Sequence, residues 1–266
     1  MPEFRILFAV FSFIFGAVFA SFAGVVAYRM PKGLSIVKPD SYCPSCNKPI
    51  KRMDNIPILS WIFLGGKCRN CKSSIGSFSL LCEIFGGLGF MLAYLQYGEK
   101  PKTVPIFVAL MLLVFLFIIM AGIDHETHDI YNSTLIAFAV IAVFITFYRC
   151  AALRADIWEY VFGAIFGFGF FGAIKIVAKL VLKKDALCSG DIYLVGIGGF
   201  ILGVMPLLIS IIVATLLGSI IEIIKIKAAK SEREAEIAFG PYLLLGMGLM
   251  SIYGESFMKI YWEVLL

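Results

Sequence analysis

The chain has 266 residues, 61% of them hydrophobic and 15% charged, with a mean hydropathy of +0.94. That composition excludes a soluble globular domain and places the chain among polytopic membrane proteins. The formal net charge of +5 is no sign of nucleic acid, because the basic residues fall between apolar runs and no DNA- or RNA-binding motif accompanies them.

The first apolar run, Phe4 to Ala27, is long enough to span a bilayer, and no cleavage region of a signal peptide follows it. Tyr28-Arg29-Met30-Pro31 ends it with an aromatic anchor, a charge and a helix breaker. Residues 29–75 form the long polar segment, with nine basic residues (Arg29, Lys32, Lys38, Lys48, Lys51, Arg52, Lys67, Arg69, Lys72) against Asp40 and Asp54. The positive-inside rule puts this segment in the cytoplasm and the N-terminus outside. Further apolar runs follow at Gly76 to Tyr97, Val104 to Ile123, Tyr131 to Phe147, Ile157 to Leu182, Ile192 to Met205, Leu207 to Ile226 and Phe239 to Tyr253. The expected fold is all-α, with about eight transmembrane helices and a tight hairpin through residues 192–226, broken at Met205-Pro206. Lys175 and Lys179 sit late in their helix and are expected to snorkel to the cytoplasmic interface.

The polar segment holds Cys43-Pro44-Ser45-Cys46 and Cys68-Arg69-Asn70-Cys71, two CxxC pairs with twenty-one residues between them. An odd total of seven cysteines argues for reduced thiols. Four thiolates at this spacing predict a tetrahedral structural zinc site, a staple for a segment too short to bury a core of its own. Cys82 and Cys150 fall in apolar runs and read as packing residues.

The stretch GIDHETHDIYN, Gly122 to Asn132, places two aspartates, a glutamate and both histidines directly after an apolar run. A second short stretch, Cys188-Ser189-Gly190-Asp191, opens the sixth run. Alternation of the spans brings Asp124 and Asp191 to one membrane face at similar depth. Two carboxylates within hydrogen-bond reach share a proton, so the pair can activate a water and protonate a leaving amine. Intramembrane acids serve ion and proton pathways equally well, so a transporter is the alternative. Gly190 suits a close backbone approach at the start of the helix. Asp191 and Ser189 would also serve as N-caps of the sixth helix, and Asp129 or Asn132 of the fourth. His125 and His128 are spaced i, i+3 and offer a divalent-metal alternative with Asp124, Glu126 or Asp129, although HETH is one residue short of the HExxH zinc pattern. Glu83, early in the second span, is expensive there unless it works or is paired with a nearby Arg or Lys. Glu222 reads as structural, within i+3 of Lys225.

Together these features resemble the bacterial type IV prepilin peptidase family, bifunctional leader peptidases and N-methyltransferases that are GxGD intramembrane aspartyl proteases. ASFAGVVAYRMP is similar to that family's GSF-N-V-x-x-Y-R-x-P stretch, and residues 43–75 resemble its cysteine domain, including Asn55-Ile56-Pro57, Ser60-Trp61 and Cys68-Arg69. Glu83 matches the family glutamate, with Ser79-Leu80 where Tyr-Pro is usual, and Phe239-Gly240-Pro241 matches the late FGP motif. By this resemblance Asp124 and Asp191 are the catalytic aspartates, with Cys188 replacing the first Gly of GxGD and Tyr131 replacing a Pro. It implies cleavage of the basic leader of prepilins or pseudopilins after Gly, then S-adenosylmethionine-dependent methylation of the new N-terminus. It also implies a place in the bacterial inner membrane, with the site and the zinc module facing the cytoplasm. The domains expected are a first helix at 1–28, a four-cysteine zinc module tied to methyl transfer at 29–75 and a peptidase core at 76–266. No nucleic-acid partner is expected.

Overall fold

The computed structural model describes residues 2–183, 188–229 and 239–265. Nine α-helices are named among them: α1 (Pro2–Arg29), the short α2 (Leu59–Phe63), α3 (Ser77–Ala93, continued by one π turn, Tyr94–Gly98), α4 (Val104–Thr127), α5 (Asn132–Leu153), α6 (Ile157–Leu182), α7 (Ser189–Leu202), α8 (Val204–Ala229) and α9 (Gly240–Leu265). Backbone polar groups have no water to bond inside a bilayer, so continuous helices are the form these apolar runs must take.

Six of the helices, α1, α3, α4, α5, α6 and α8, are long and apolar enough to cross a membrane. The expected count of about eight is not confirmed among the described residues. α7 has 14 residues, roughly 21 Å of helix against a hydrocarbon core of roughly 30 Å. α9 is long, but Glu255, Lys259 and Glu263 interrupt its apolar surface. The break between α7 and α8 also lies earlier than Met205-Pro206. Gly203, at φ 77° and ψ −179°, makes the turn, and Pro206 falls in the first turn of α8, where its missing N–H costs no helical bond.

α4 is the axis of the molecule, apolar on all sides and buried on most of them. One face packs with Ala20, Ala23 and Ala27 of α1 and Cys82 and Phe90 of α3. Its other faces join Phe138 and Ile145 of α5, Leu194 and Ile201 of α7, and Leu243 and Met247 of α9. Three pairs of helices approach backbone to backbone through glycine, among them α8 and α9, where a Cβ at Gly246 would lie 2.6 Å from the Ser210 carbonyl. A Cβ at Gly16 would strike the Gly86 carbonyl between α1 and α3, and one at Gly163 would strike the Gly199 carbonyl between α6 and α7. In lipid such small-residue contacts supply much of the association between helices.

At the end of α5, Arg149 is 3% exposed and donates to the carbonyls of Ile201 on α7 (3.0 Å) and Ser251 on α9 (3.1 Å), with its Nε 3.1 Å from Glu255. The last carbonyls of a helix have no partner within it. Arg149 answers one of them and holds the short α7 at a fixed depth.

Candidate active site and cysteine centre

α4 closes with His128 in the left-handed conformation (φ 55°), its N–H bonded to the Asp124 carbonyl at 2.9 Å. This leaves Asp124 in the last helical turns with its side chain inside the bundle, 6% exposed. The start of α9 lies directly against it. The Gly240 amide faces the carboxylate, and a Cβ on Gly240 would sit 2.7 Å from Asp124 Oδ2. That oxygen is buried with no hydrogen-bond partner among the described residues.

Asp191 occupies the first turn of α7, where the positive end of the helix dipole favours an anion. It too is buried, and it lies close enough to Asp124 for the two charges to interact. Gly190 makes this possible, since a Cβ there would lie 2.9 Å from Cβ of Ile130 in the connection between α4 and α5. Asp124 and Asp191, far apart in sequence, are thus both buried and near enough for their charges to be felt. A cavity of about 560 Å³ opens between the α4–α5 connection and the start of α7, lined by Asp129, Tyr131, Cys188, Ser189, Gly190 and Tyr193 but by neither aspartate.

The capping alternatives do not hold. The N-cap of α7 is Cys188 and that of α5 is Tyr131, neither with a side-chain capping bond. Ser189 Oγ instead accepts from Lys175 Nζ at 2.6 Å, so Lys175 is held by a neighbouring helix rather than simply snorkelling. Asp129 accepts from the Ile130 amide at 2.8 Å. Glu222 accepts from Tyr242 Oη at 3.0 Å, while the side chain of Lys225 lies outside the described residues.

The two CxxC segments fold alike. In the first, Cys43 N–H donates to Lys48 O and Asn47 N–H to Cys43 O; in the second, Cys68 N–H donates to Ser73 O and Lys72 N–H to Cys68 O. Asn47 (φ 55°) and Lys72 (φ 60°) take the same left-handed turn. The sulfurs of Cys43, Cys46, Cys68 and Cys71 lie within 4.8 Å of one another, with Cys43 and Cys71 3.8 Å apart. A tetrahedron with metal–sulfur bonds of about 2.3 Å has edges of about 3.8 Å, so the donor set fits a metal ion. The backbone amide of Cys46 helps hold the Cys43 thiol down to about 6, while burial and the Cys43 and Cys71 thiols push Cys46 up to about 11, so the crowded sulfurs do not ionise together without a cation between them. Arg69 clamps Asp54 through two bonds of 2.6 and 2.8 Å, which lowers that carboxyl below its ordinary range. No histidine joins a group able to hold a metal among the described residues.

Glu83 is 8% exposed and is not in an ion pair among the described residues. The expected Arg or Lys is replaced by two neutral donors: the Ile58 amide at 2.7 Å from Oε2, and the Ser21 side chain. Ile58 stands at φ 64°, a conformation that costs a β-branched residue of order 1–3 kcal/mol. Sequence reasoning missed this contact and the one from Gly240 to Asp124. The FGP motif was the only signal for the second, and Asn55-Ile56-Pro57 the only one near the first.

Two stretches of the chain match known protein families. Residues 14–97 match the bacterial peptidase A24 N-terminal domain, and residues 110–223 match the type IV leader peptidase family. A prepilin leader peptidase/N-methyltransferase of Klebsiella pneumoniae is 32% identical over 213 residues, covering 76% of this chain and 90% of the relative. One of Bacillus subtilis is 29% identical over 252 residues, covering 94% and 96%. The type 4 prepilin-like proteins leader peptide-processing enzyme of Escherichia coli is 28% identical over 260 residues, covering 91% and 92%. No solved structure matches. The transporter alternative finds no support among these relatives. With both halves matched in order and a relative nearly one-third identical along most of its own length, the chain belongs to the type IV leader peptidase family.

Proposed function

We propose that this chain cleaves the basic leader from type IV prepilins or pseudopilins with Asp124 and Asp191, then N-methylates the new N-terminal residue. The observation that carries the peptidase half is the convergence of two buried carboxylates from α4 and α7, each at the end of an apolar helix. Isolated charges are costly there, and a pair sharing one proton reduces that cost. In hydrolysis the unprotonated carboxylate takes a proton from water as its oxygen attacks the scissile carbonyl carbon. The shared proton then reaches the leaving nitrogen as the carbon–nitrogen bond breaks, so the dyad ends with the protons it began with. Acid and base roles belong to the pair rather than to either residue. The Gly240 amide opposite Asp124 orients its carboxylate.

The four cysteines are proposed to hold a structural zinc ion that folds residues 29–75, the segment tied to methyl transfer, with residues 76–266 forming the peptidase core. S-adenosylmethionine is the proposed methyl donor. The inner membrane is the proposed location, with the site and the cysteine segment on the cytoplasmic side, where the nine basic residues of that segment favour retention. The test is mass spectrometry of a prepilin peptide incubated with purified enzyme, donor and lipid. Cleavage after Gly and a gain of one methyl at the new N-terminus are expected. Asp124→Asn and Asp191→Asn should each slow cleavage on the order of a thousandfold or more while metal content stays normal; cleavage at the wild-type rate by either variant overturns the assignment.

A further inference from the structure

The second large cavity lies on the other side of α4 from the aspartates, between the cysteine segment and the membrane helices α1, α3 and α4, and measures about 510 Å³. α4 itself divides the two spaces. At 100° per residue, Gly122 and Glu126 point 200° away from Asp124 in either direction, so they face opposite to it. Both line the second cavity, as does His125, whose ring stacks on Phe78 at 4.2 Å.

Glu83 also lines this cavity. Its carboxylate is buried and fixed by Ile58 and Ser21, and no cation stands beside it among the described residues. Backbone strain at Ile58 is tolerated to keep that bond. Trp61 supplies an aromatic wall, its indole N–H tied to the Ile75 carbonyl at 3.3 Å and its ring seated on Gly66, where a Cβ would lie 2.8 Å from it. A carboxylate fixed by two neutral donors and without a cationic partner among the described residues, an aromatic surface, the basic Lys48 and Lys51 on the same lining, and a volume within the roughly 300–1,000 Å³ of small-molecule pockets describe a site for a ligand with a positive end, a negative end and a flat ring.

We infer that this cavity is the binding site for S-adenosylmethionine, with Glu83 as the counter-charge to the ligand's positive end. The inference rests on the methyltransferase half of the proposed function. It adds a place for the donor and a residue that holds it. The cavity and the dyad share the last turns of α4, so an amine released by cleavage lies within about one helix diameter, roughly 10 Å, of the donor. In the transfer, the lone pair of the neutral amine forms the nitrogen–carbon bond as the carbon–sulfur bond breaks, its electrons neutralise the sulfonium, and the amine sheds one proton to water. The positive charge opposite Glu83 is then reduced, which favours release of the product.

The experiment uses the full chain in lipid nanodiscs with S-adenosyl-L-[methyl-³H]methionine. Equilibrium binding to wild type and Glu83→Gln is measured alongside photolabelling of wild type and peptide mapping. Metal content and elution volume establish that the variant is folded. Glu83→Gln should weaken binding at least tenfold, about 1.4 kcal/mol, and the label should fall on peptides from residues 20–30, 55–90 or 118–127. Equal affinity in a folded variant, or label confined to α6 to α9, overturns the assignment even if wild type methylates its product. A wild-type chain that cleaves but neither binds donor nor methylates overturns the reading beneath it.

Discussion

Replacing Gly240 by alanine perturbs the dyad without touching either carboxylate. The added Cβ would stand 2.7 Å from Asp124 Oδ2 and 3.0 Å from Cγ. Ordinary contact lies near 3.4 Å and beyond, so the carboxylate must retreat by about 0.7 Å or rotate. Misplacement of a reacting group by about 1 Å costs on the order of a hundredfold in rate. A loss of roughly ten- to a hundredfold is therefore expected, equivalent to about 1.4–2.7 kcal/mol of barrier. Helix α9 itself should survive, because Gly240 does not sit at positive φ and alanine is the better helix former. The assay is the initial rate of leader cleavage in detergent, read by mass spectrometry, with elution volume and metal content as controls for folding. Cleavage at the full wild-type rate would refute the argument that the start of α9 positions Asp124.

Three further outcomes follow from the same geometry. Wild-type protein should carry about one zinc per chain by elemental analysis, and Cys71→Ala should abolish it, since three thiolates leave the tetrahedron open; undiminished zinc in the variant would count against the cysteine centre. Arg149→Met should lower thermal stability in detergent by about 3 kcal/mol or more, because the carbonyls of Ile201 and Ser251 and the Glu255 charge lose their common partner. An unchanged melting temperature would contradict that role. Gly199→Ala should separate α6 from α7 at the Gly163 carbonyl, displace Asp191 and slow cleavage together with a loss of stability; wild-type behaviour in both measurements would show that the contact is slack.

The aspartate pair was legible in the sequence because a charge at the end of an apolar run has few cheap explanations, and two such charges on the same face have fewer. The cysteine centre was legible because CxxC spacing is itself a metal-ligand geometry. What could not be read is which surfaces of the helices meet. α4 is apolar on every side, so nothing in its pattern says that Gly122 and Glu126 face α1 and α3 while Asp124 faces α7 and α9. Arg149 reads as a loop charge at the outer end of a span, yet it is buried against carbonyls of two other helices that only the folded chain brings to it. Glu83 invites a basic partner by its cost in lipid. It has instead an amide at a strained isoleucine, a contact no side-chain pattern encodes. The count of about eight spans is not confirmed for a related reason: hydropathy marks apolar runs, but α7 is short and largely buried within the protein.

The central claim is that Asp124 and Asp191 work as one group, and a double-mutant comparison tests it most directly. Cleavage rates of Asp124→Asn, Asp191→Asn and the double variant are measured on one prepilin peptide. Residues that act as a unit are strongly non-additive, so the double variant should be no slower than the slower single one. Losses that multiply in the double variant would show two independent contributions and contradict the dyad.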